Sequence, residues 1–152
     1  MIIIRNNILP LKGFKMMNIC GLVFLRKDAT PPAVHDLRHE AIHTVQQREI
    51  MLFAAFVSLV FCTVFSSWWY LLGVVLIPFL IYVAGFLAEL VLPPYHGATN
   101  MRQLLDDAYH DNCFEREAYA NEKVPDYWIV RPMFAEVKYI MKNRRETNNA
   151  KT

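Results

Sequence analysis

The chain has 152 residues, 55% of them hydrophobic, with a formal net charge of +2 and a mean hydropathy of +0.19. This length fits a single domain, and the small net charge, with no arginine-rich stripe, argues against a nucleic-acid partner. The cysteines at positions 20, 62 and 113 are odd in number and one lies deep in an apolar run, so no disulfide framework is expected.

Residues 1–30 are predicted to form a short β-hairpin. Two apolar runs, MIII and NICGLVFL, flank the segment NNILPLKGFK, and apolar runs separated by turn-forming residues are typical of paired strands. A helix then begins near Pro31 or Pro32, because proline is tolerated in a first helical turn. It is expected to continue without a breaker over residues 31–65.

A long uncharged stretch follows. Between residues 49 and 102 the one charged residue is Glu89, and positions 51–92 are almost continuously apolar. As a single helix these positions would extend roughly 63 Å, about twice the ~30 Å hydrocarbon core of a bilayer. Two crossings, 51–65 and 71–92, therefore fit better, and the aromatic segment SSWWY between them is typical of a membrane interface.

The basic residues set the expected orientation. Arg38 and Arg48 precede the first span, Arg102 and Arg116 follow the second, and the connection between the spans has no basic residue. The positive-inside rule then places both termini in the cytoplasm. Glu89, near the end of the second span, is either functional or simply reaches the interface. The alternative to a membrane hairpin is a helical hairpin buried in a soluble oligomer.

Residues 100–145 are predicted to contain further helices, because the segments MRQLLDDAYHDNCFEREAYANE and PMFAEVKYIMKNRR both have helical spacing of apolar residues. Residues 146–152 are expected to form a disordered tail.

The motif H-E-x-x-H occupies His39, Glu40 and His43. Residues four apart lie on one face of a helix, so both imidazoles can bind one Zn²⁺, with Glu40 as general base. The other interpretation is a polar helix face at the headgroup level. His35, one turn earlier, is either a contact near the site or a solvated histidine, and the glutamines that follow at 46 and 47 either orient the site or simply precede the membrane.

A zinc site of this kind needs a third protein ligand. The metzincin continuation would place Gly and His at positions 46 and 49, but Gln46 and Glu49 stand there. The segment CFEREAYANE is the best donor, and two crossings return it to the side of the histidines. Glu115 and Glu117 point about 200° apart on a helix, so only one of them can face the metal.

HEAIH followed by FEREAY resembles the gluzincin-type zinc peptidases, such as the membrane-embedded CAAX prenyl proteases and related bacterial membrane proteases. In these families the first Glu of an E-x-x-x-D motif is the third ligand, which implies Glu115 here, while Tyr119 stands where they have aspartate. RHEAIHTVQQREIML and AYHDNCFEREAYANE are also similar to a group of short bacterial membrane proteins, over roughly residues 17–140. The resemblance implies a zincin-like head on the cytoplasmic face of a bacterial inner membrane.

The resemblance further implies metal-assisted hydrolysis of a peptide or protein substrate, with zinc as cofactor and Glu40 as general acid/base. Tyr109, His110 and Tyr119 are candidates to stabilise the oxyanion. The strand NICGLVFL is a candidate to hold the substrate backbone. Because the chain leaves little room for a cleft, a homo-oligomer or a partner membrane protein is also expected.

The predicted fold is therefore a single mainly α domain: an integral membrane helical hairpin that carries a small zincin-like head and an N-terminal β-hairpin. The predicted function is membrane-bound zinc metallopeptidase. Two alternatives are a non-catalytic metal-binding membrane protein, acting as sensor or assembly factor, and a metal-free helical membrane subunit.

Overall fold

A computed structural model describes residues 1–10, 15–91 and 100–140 of the chain. Over these residues the protein is mainly helical, with a small three-stranded sheet and two long apolar helices. The end of the predicted last helix, residues 141–145, and the predicted disordered tail, residues 146–152, lie outside the described residues.

The elements follow one another in a simple order. The strands are β1 (Ile2–Asn6), β2 (Met16–Ile19) and β3 (Leu22–Arg26), and the α-helices are α1 (Val34–Phe65), α2 (Gly73–Val91), α3 (Met101–His110), α4 (Cys113–Asn121) and α5 (Tyr127–Val130). Two 3-10 helices, Trp68–Leu72 and Ala135–Tyr139, complete the described part of the chain.

The N-terminal sheet differs from the predicted hairpin. The run NICGLVFL is divided between β2 and β3 by a two-residue turn at Cys20 (φ 52°) and Gly21 (φ +89°). Tight hairpins need such positive φ values, and glycine supplies one of them without strain. The run MIII forms β1, which pairs in parallel with β3, so the strand order is β1-β3-β2. The predicted substrate strand is therefore divided: β3 is the central strand of the sheet, and β2 is one of its two edge strands.

Helix α1 runs unbroken for 32 residues, roughly 48 Å at 1.5 Å per residue. Within its apolar half the buried side chains form one narrow stripe, at Ile50, Ala54, Ser58 and Cys62. This stripe faces α2, and a Cβ added at Gly73 would lie 2.5 Å from Ser58 Oγ. Small residues thus let the two helices pack closely, as they do between membrane helices.

The polar half of α1 lies between the sheet and α4. On the sheet side the Asn18 side chain donates to the main-chain oxygen of Glu40 and, at 2.8 Å, to Thr44 Oγ1. Gln47 contacts the same strand, because its amide nitrogen donates to the main-chain oxygen of Asn18 at 3.0 Å. Residues 39, 43 and 46 face α4 instead. The two faces of one helix therefore position different parts of the head.

Up to residue 140, where the described part of the chain ends, the segment after Pro125 does not form the α-helix expected from its apolar spacing. Its described part contains the single turn α5 and the short 3-10 helix Ala135–Tyr139. Pro132 lacks an amide proton for helical bonding. Phe134 has a left-handed backbone (φ 54°), and its amide donates to Glu49 Oε2 of α1 at 3.0 Å. These tertiary anchors outweigh the local helical pattern.

Two helical stretches, Val34–Phe65 and Trp68–Leu90, are long and apolar enough to cross a membrane. Most of their apolar side chains are exposed; Phe56, for example, is 67% exposed and Phe79 is 64% exposed. Exposed apolar surface of this extent needs a partner, so a membrane hairpin is compatible with the structure.

Candidate metal centre

Two histidines and one glutamate converge between α1 and α4. The Nε2 atoms of His39 and His43 lie 3.0 Å apart. Glu115 Oε2 lies 3.2 Å from His39 Nε2, and Glu115 Oε1 lies 3.3 Å from His43 Nε2. One ligand atom from each residue lies within 4.8 Å of the others, so this group could hold a metal ion.

The other ring nitrogen of each histidine is held by an acceptor. His43 Nδ1 lies 2.8 Å from Gln46 Oε1, and His39 Nδ1 lies 3.1 Å from Glu122 Oε2. The Gln46 amide nitrogen donates to Glu117 Oε2, so its oxygen is left to accept from His43. Both Nδ1 atoms therefore donate, and both Nε2 atoms turn toward Glu115. Histidine ligands of metals are usually oriented in this way.

Two Nε2 lone pairs and a carboxylate repel one another at these distances. A positive charge between them, either a proton or a metal ion, is needed to stabilise the arrangement. Burial by itself lowers the pKa of His43, but Glu115, with smaller contributions from Glu40 and Gln46, outweighs this effect and raises the pKa to about 9. In the same way burial raises the pKa of Glu115, but His43 and His39 together outweigh this effect, and the pKa lies well below its usual range. The donor set of two imidazoles and one carboxylate suits zinc.

Glu40 lies between the histidines and the sheet. It is 7% exposed and lines a cavity of about 1070 Å³ beside the centre. Burial raises the pKa of Glu40, and the neighbouring His43 and His39 offset part of this effect. A carboxylate with a raised pKa at the wall of a cavity is better suited to taking up and releasing a proton than an ordinary surface carboxylate.

The cavity also contains the three candidates for oxyanion stabilisation, Tyr109, His110 and Tyr119. The Tyr119 ring lies 4.6 Å from the His39 ring and 5.6 Å from the His110 ring, centroid to centroid. Burial, followed by the charge of Glu115, raises the pKa of Tyr109 above its usual range and that of Tyr119 to about 12. These phenols therefore stay protonated. Tyr109 is hydrogen-bonded to the Glu115 carboxylate, and Tyr119 can donate a hydrogen bond at the cavity wall.

Glu117 turns away from the histidines and is fully buried. Its Oε1 accepts from Arg131 Nε at 2.7 Å and from the Tyr127 hydroxyl at 3.1 Å. Its Oε2 accepts from Arg131 Nη2 at 3.0 Å and from Gln46 Nε2 at 2.9 Å. Of the two glutamates left open by the sequence, Glu115 is thus the one beside the histidines.

Arg131 ties this part of the head together. Besides Glu117, it donates to Glu49 Oε2 of α1 and to Glu136 Oε2, each at 2.7 Å. The Arg131 side chain is 1% exposed. Its partner Glu136 is buried as well, and this burial raises the pKa of the Glu136 carboxyl. A single buried guanidinium therefore connects α1, α4 and the 3-10 helix that follows.

The second apolar helix supports α4 from the other side. Tyr82 of α2 lies against Phe114 with ring centroids 4.4 Å apart. Two turns later, Glu89 Oε1 lies 3.4 Å from Arg116 Nη2, and both side chains are buried. Glu89 is thus an internal partner of α4. Arg116 follows Glu115 directly, so α2 helps to fix the helix that carries the third candidate ligand.

Sequence reasoning missed Glu122 and Arg131. Glu122 lies seven residues after Glu115, which is the same helix face two turns on, so this spacing could have identified it. No local pattern marks Arg131. His35 is exposed beside Asp36 and does not line the cavity. Gln46 contacts His43, whereas Gln47 contacts the sheet.

No protein-family model, curated protein or solved structure matches the chain.

We expect Gln46→Ala to weaken metal binding roughly 10–100-fold, because it frees the Nδ1 side of His43. Gln47→Ala is the control, because it also removes side-chain hydrogen bonds, but these connect Gln47 to the main chain of Cys20 and Asn18 and not to the histidines. Competition with a chromophoric chelator measures both affinities. Equal losses in the two variants would mean that Gln46 does not orient the histidine.

Proposed function

We propose that the chain is a membrane-bound zinc metallopeptidase of the gluzincin type. The observation that carries the proposal is the convergence of His39 Nε2, His43 Nε2 and the Glu115 carboxylate, with both Nδ1 atoms engaged as donors and Glu40 beside them. H-E-x-x-H supplies such a pair and its general base from one helix.

Each residue has a distinct role in the proposed reaction. His39, His43 and Glu115 would hold zinc, which supplies Lewis-acid activation of water and of the peptide carbonyl when bound. The Glu40 carboxylate takes a proton from the attacking water and passes it to the leaving amine. Protonated Tyr109 or Tyr119 donates a hydrogen bond to the developing oxyanion.

Substrate would enter the cavity from the side of β2. Met16 at the start of β2 lines the cavity together with Glu40, whereas the edge of β2 at Asn18 is already engaged by Gln47. An extended peptide could therefore pair with the free part of this edge strand. Phe86 of α2 lines the same cavity, which favours a peptide or protein substrate close to the membrane.

The proposed location is the inner membrane of a bacterium, with both termini and the metal centre in the cytoplasm. Support comes from the two apolar helices and from the basic residues outside them. Arg116 is paired with Glu89, so Arg38, Arg48 and Arg102 carry most of the orientation argument. A homo-oligomer or a partner membrane protein remains part of the proposal, because the head is small.

Metal content tests the proposal first. Protein purified in detergent without chelators should contain about one zinc per chain, and His43→Ala and Glu115→Gln should contain almost none. Glu117→Gln is the matched control, two residues along the same helix. Elemental analysis measures the zinc content of the four proteins. In a second experiment, the zinc-loaded wild type in liposomes should cleave members of a fluorogenic peptide library.

Two results would contradict this assignment. A wild type without bound metal would remove its basis. Equal loss of metal in Glu115→Gln and Glu117→Gln would mean that the loss reflects the fold of α4. Because Glu117→Gln also weakens the contact with Arg131, His35→Ala, an exposed histidine on the same helix as His43, provides a second control that leaves the fold intact.

A further inference from the structure

Two parts of the head expose apolar side chains at the level where the charge-free half of α1 begins. The first is the tip of the sheet. Ile2, Leu22 and Ile19 form one row across the three strands and are 62%, 39% and 46% exposed. The turn beside this row touches α1 at Met51, where the Cys20 and Met51 sulfur atoms lie 3.2 Å apart.

The second part is the segment that carries Arg131. Val130, Met133 and Val137 are 76%, 71% and 56% exposed. Within this segment the Phe134 ring lies 6.4 Å from the ring of Phe53, centroid to centroid. Phe53 belongs to the apolar half of α1, so this segment also reaches the predicted start of the hydrocarbon.

The two parts lie on opposite sides of α1. Met51, which contacts the sheet tip, and Phe53, which contacts the C-terminal segment, are two residues apart and therefore about 200° apart around the helix. A second protein chain would cover one side of α1. A bilayer surrounds a crossing helix on every side, so one lipid surface meets both parts.

The surrounding polarity fits a lipid surface. Arg48 is exposed near Gly21 at the sheet tip, and Lys138 is exposed next to Val137, where lysine and arginine can reach lipid phosphates. At the other end of the sheet Arg26 is paired to Asp28, and Ile8, which follows β1 there, is also exposed. The row Ile2, Leu22, Ile19 differs from Ile8 in its position beside the turn that contacts Met51, where an element can dip into an interface.

We propose that the row Ile2, Leu22, Ile19 and the residues Val130, Met133, Val137 form an apolar collar that rests in the interfacial layer of the bilayer. This inference rests on the membrane placement of α1 and α2 in the proposed function, but not on catalysis. His43 precedes Met51 by eight residues, roughly 12 Å along the helix. The collar therefore holds the metal centre within reach of chain segments that emerge from the bilayer.

Spin labels measure the depth of each part directly. In a background with the three cysteines replaced by serine, single cysteines are introduced by Leu22→Cys, Val137→Cys, Phe56→Cys and Lys27→Cys. The proteins are reconstituted in nanodiscs of phosphatidylcholine and phosphatidylglycerol. Relative accessibility to oxygen and to a nickel chelate gives the depth. We expect positions 22 and 137 to lie roughly 5–10 Å into the headgroup–acyl boundary, position 56 deeper and position 27 in water.

Each other outcome has its own meaning. Positions 22 and 137 in water, with position 56 in hydrocarbon, would overturn the collar and leave the membrane hairpin intact. Position 56 in water would overturn the membrane placement itself. Position 22 shielded from both reagents, with spin–spin broadening, would indicate a second copy and overturn the lipid contact. Labels at Ile2→Cys and Met133→Cys repeat the test if either first variant fails to fold.

Discussion

The Glu40→Gln variant is expected to bind zinc as tightly as the wild type and to hydrolyse peptide roughly 10²–10⁴-fold more slowly, the contribution typical of a general base. Glutamine keeps the size and the hydrogen-bond acceptor of the side chain but cannot take a proton from water. The three candidate ligands, His39, His43 and Glu115, are left untouched. Peptide hydrolysis and elemental analysis on the same preparation measure the two quantities.

This variant also separates the peptidase from its main alternative, a non-catalytic metal-binding protein. At a structural metal site Glu40 has no proton to move, so its replacement would change neither metal content nor any hydrolysis. The matched control is Asp36→Asn, one turn earlier on α1 and also at the cavity wall. Asp36 is paired with Lys15, and its loss should leave turnover near the wild-type value. Equal losses in both variants would contradict a specific role for Glu40.

Replacing Arg131 by Met should lower the free energy of unfolding by about 3–5 kcal/mol, the usual cost of removing one partner from a buried ionic cluster. The carboxylates of Glu49, Glu117 and Glu136 would then lie close together without the guanidinium that they share. Arg131→Lys should recover only part of the loss. Lysine restores the positive charge, but its ammonium group cannot bind Glu117 through two parallel hydrogen bonds. Denaturant titration in detergent micelles measures the change.

An exposed ion pair provides the control for this prediction. Arg26 pairs with Asp28 at 3.1 Å, where the Asp28 side chain is 71% exposed. Exposed pairs contribute little because water and salt screen them, so Arg26→Met should change the unfolding free energy little. If Arg131→Met were no more destabilising than Arg26→Met, the cluster would not hold α4 against α1. The position of Glu115 would then need another explanation.

Much of the helical architecture could be predicted because it follows from local composition. A run of 42 nearly continuous apolar positions is unfavourable in contact with water. As a helix, it is long enough to cross a bilayer twice. Helix α1 ends at Phe65 and α2 begins at Gly73, close to the predicted limits of the two spans. The H-E-x-x-H pair could be placed on one helix face from its four-residue spacing alone.

The sheet and the C-terminal segment were predicted less well, because long-range contacts determine them. The parallel pairing of β1 with β3 joins residues twenty positions apart, and no local pattern encodes it. The apolar spacing after Pro125 predicted a helix, but contacts of Arg131 and Phe134 with Glu49 hold the chain in a different path. Propensity over a few residues is weak against such contacts.

The sequence by itself determined which side chains could bind a metal or move a proton. It places two histidines and a glutamate on one helix, and on another helix two glutamates that cannot both face the same point. Only the tertiary structure decided between Glu115 and Glu117. Arg131, fourteen residues beyond Glu117, occupies both oxygens of that carboxylate, while Glu115 lies beside His39 and His43. Helical geometry fixes the angle between two side chains, but the charge that each one meets depends on which distant segments pack against the helix.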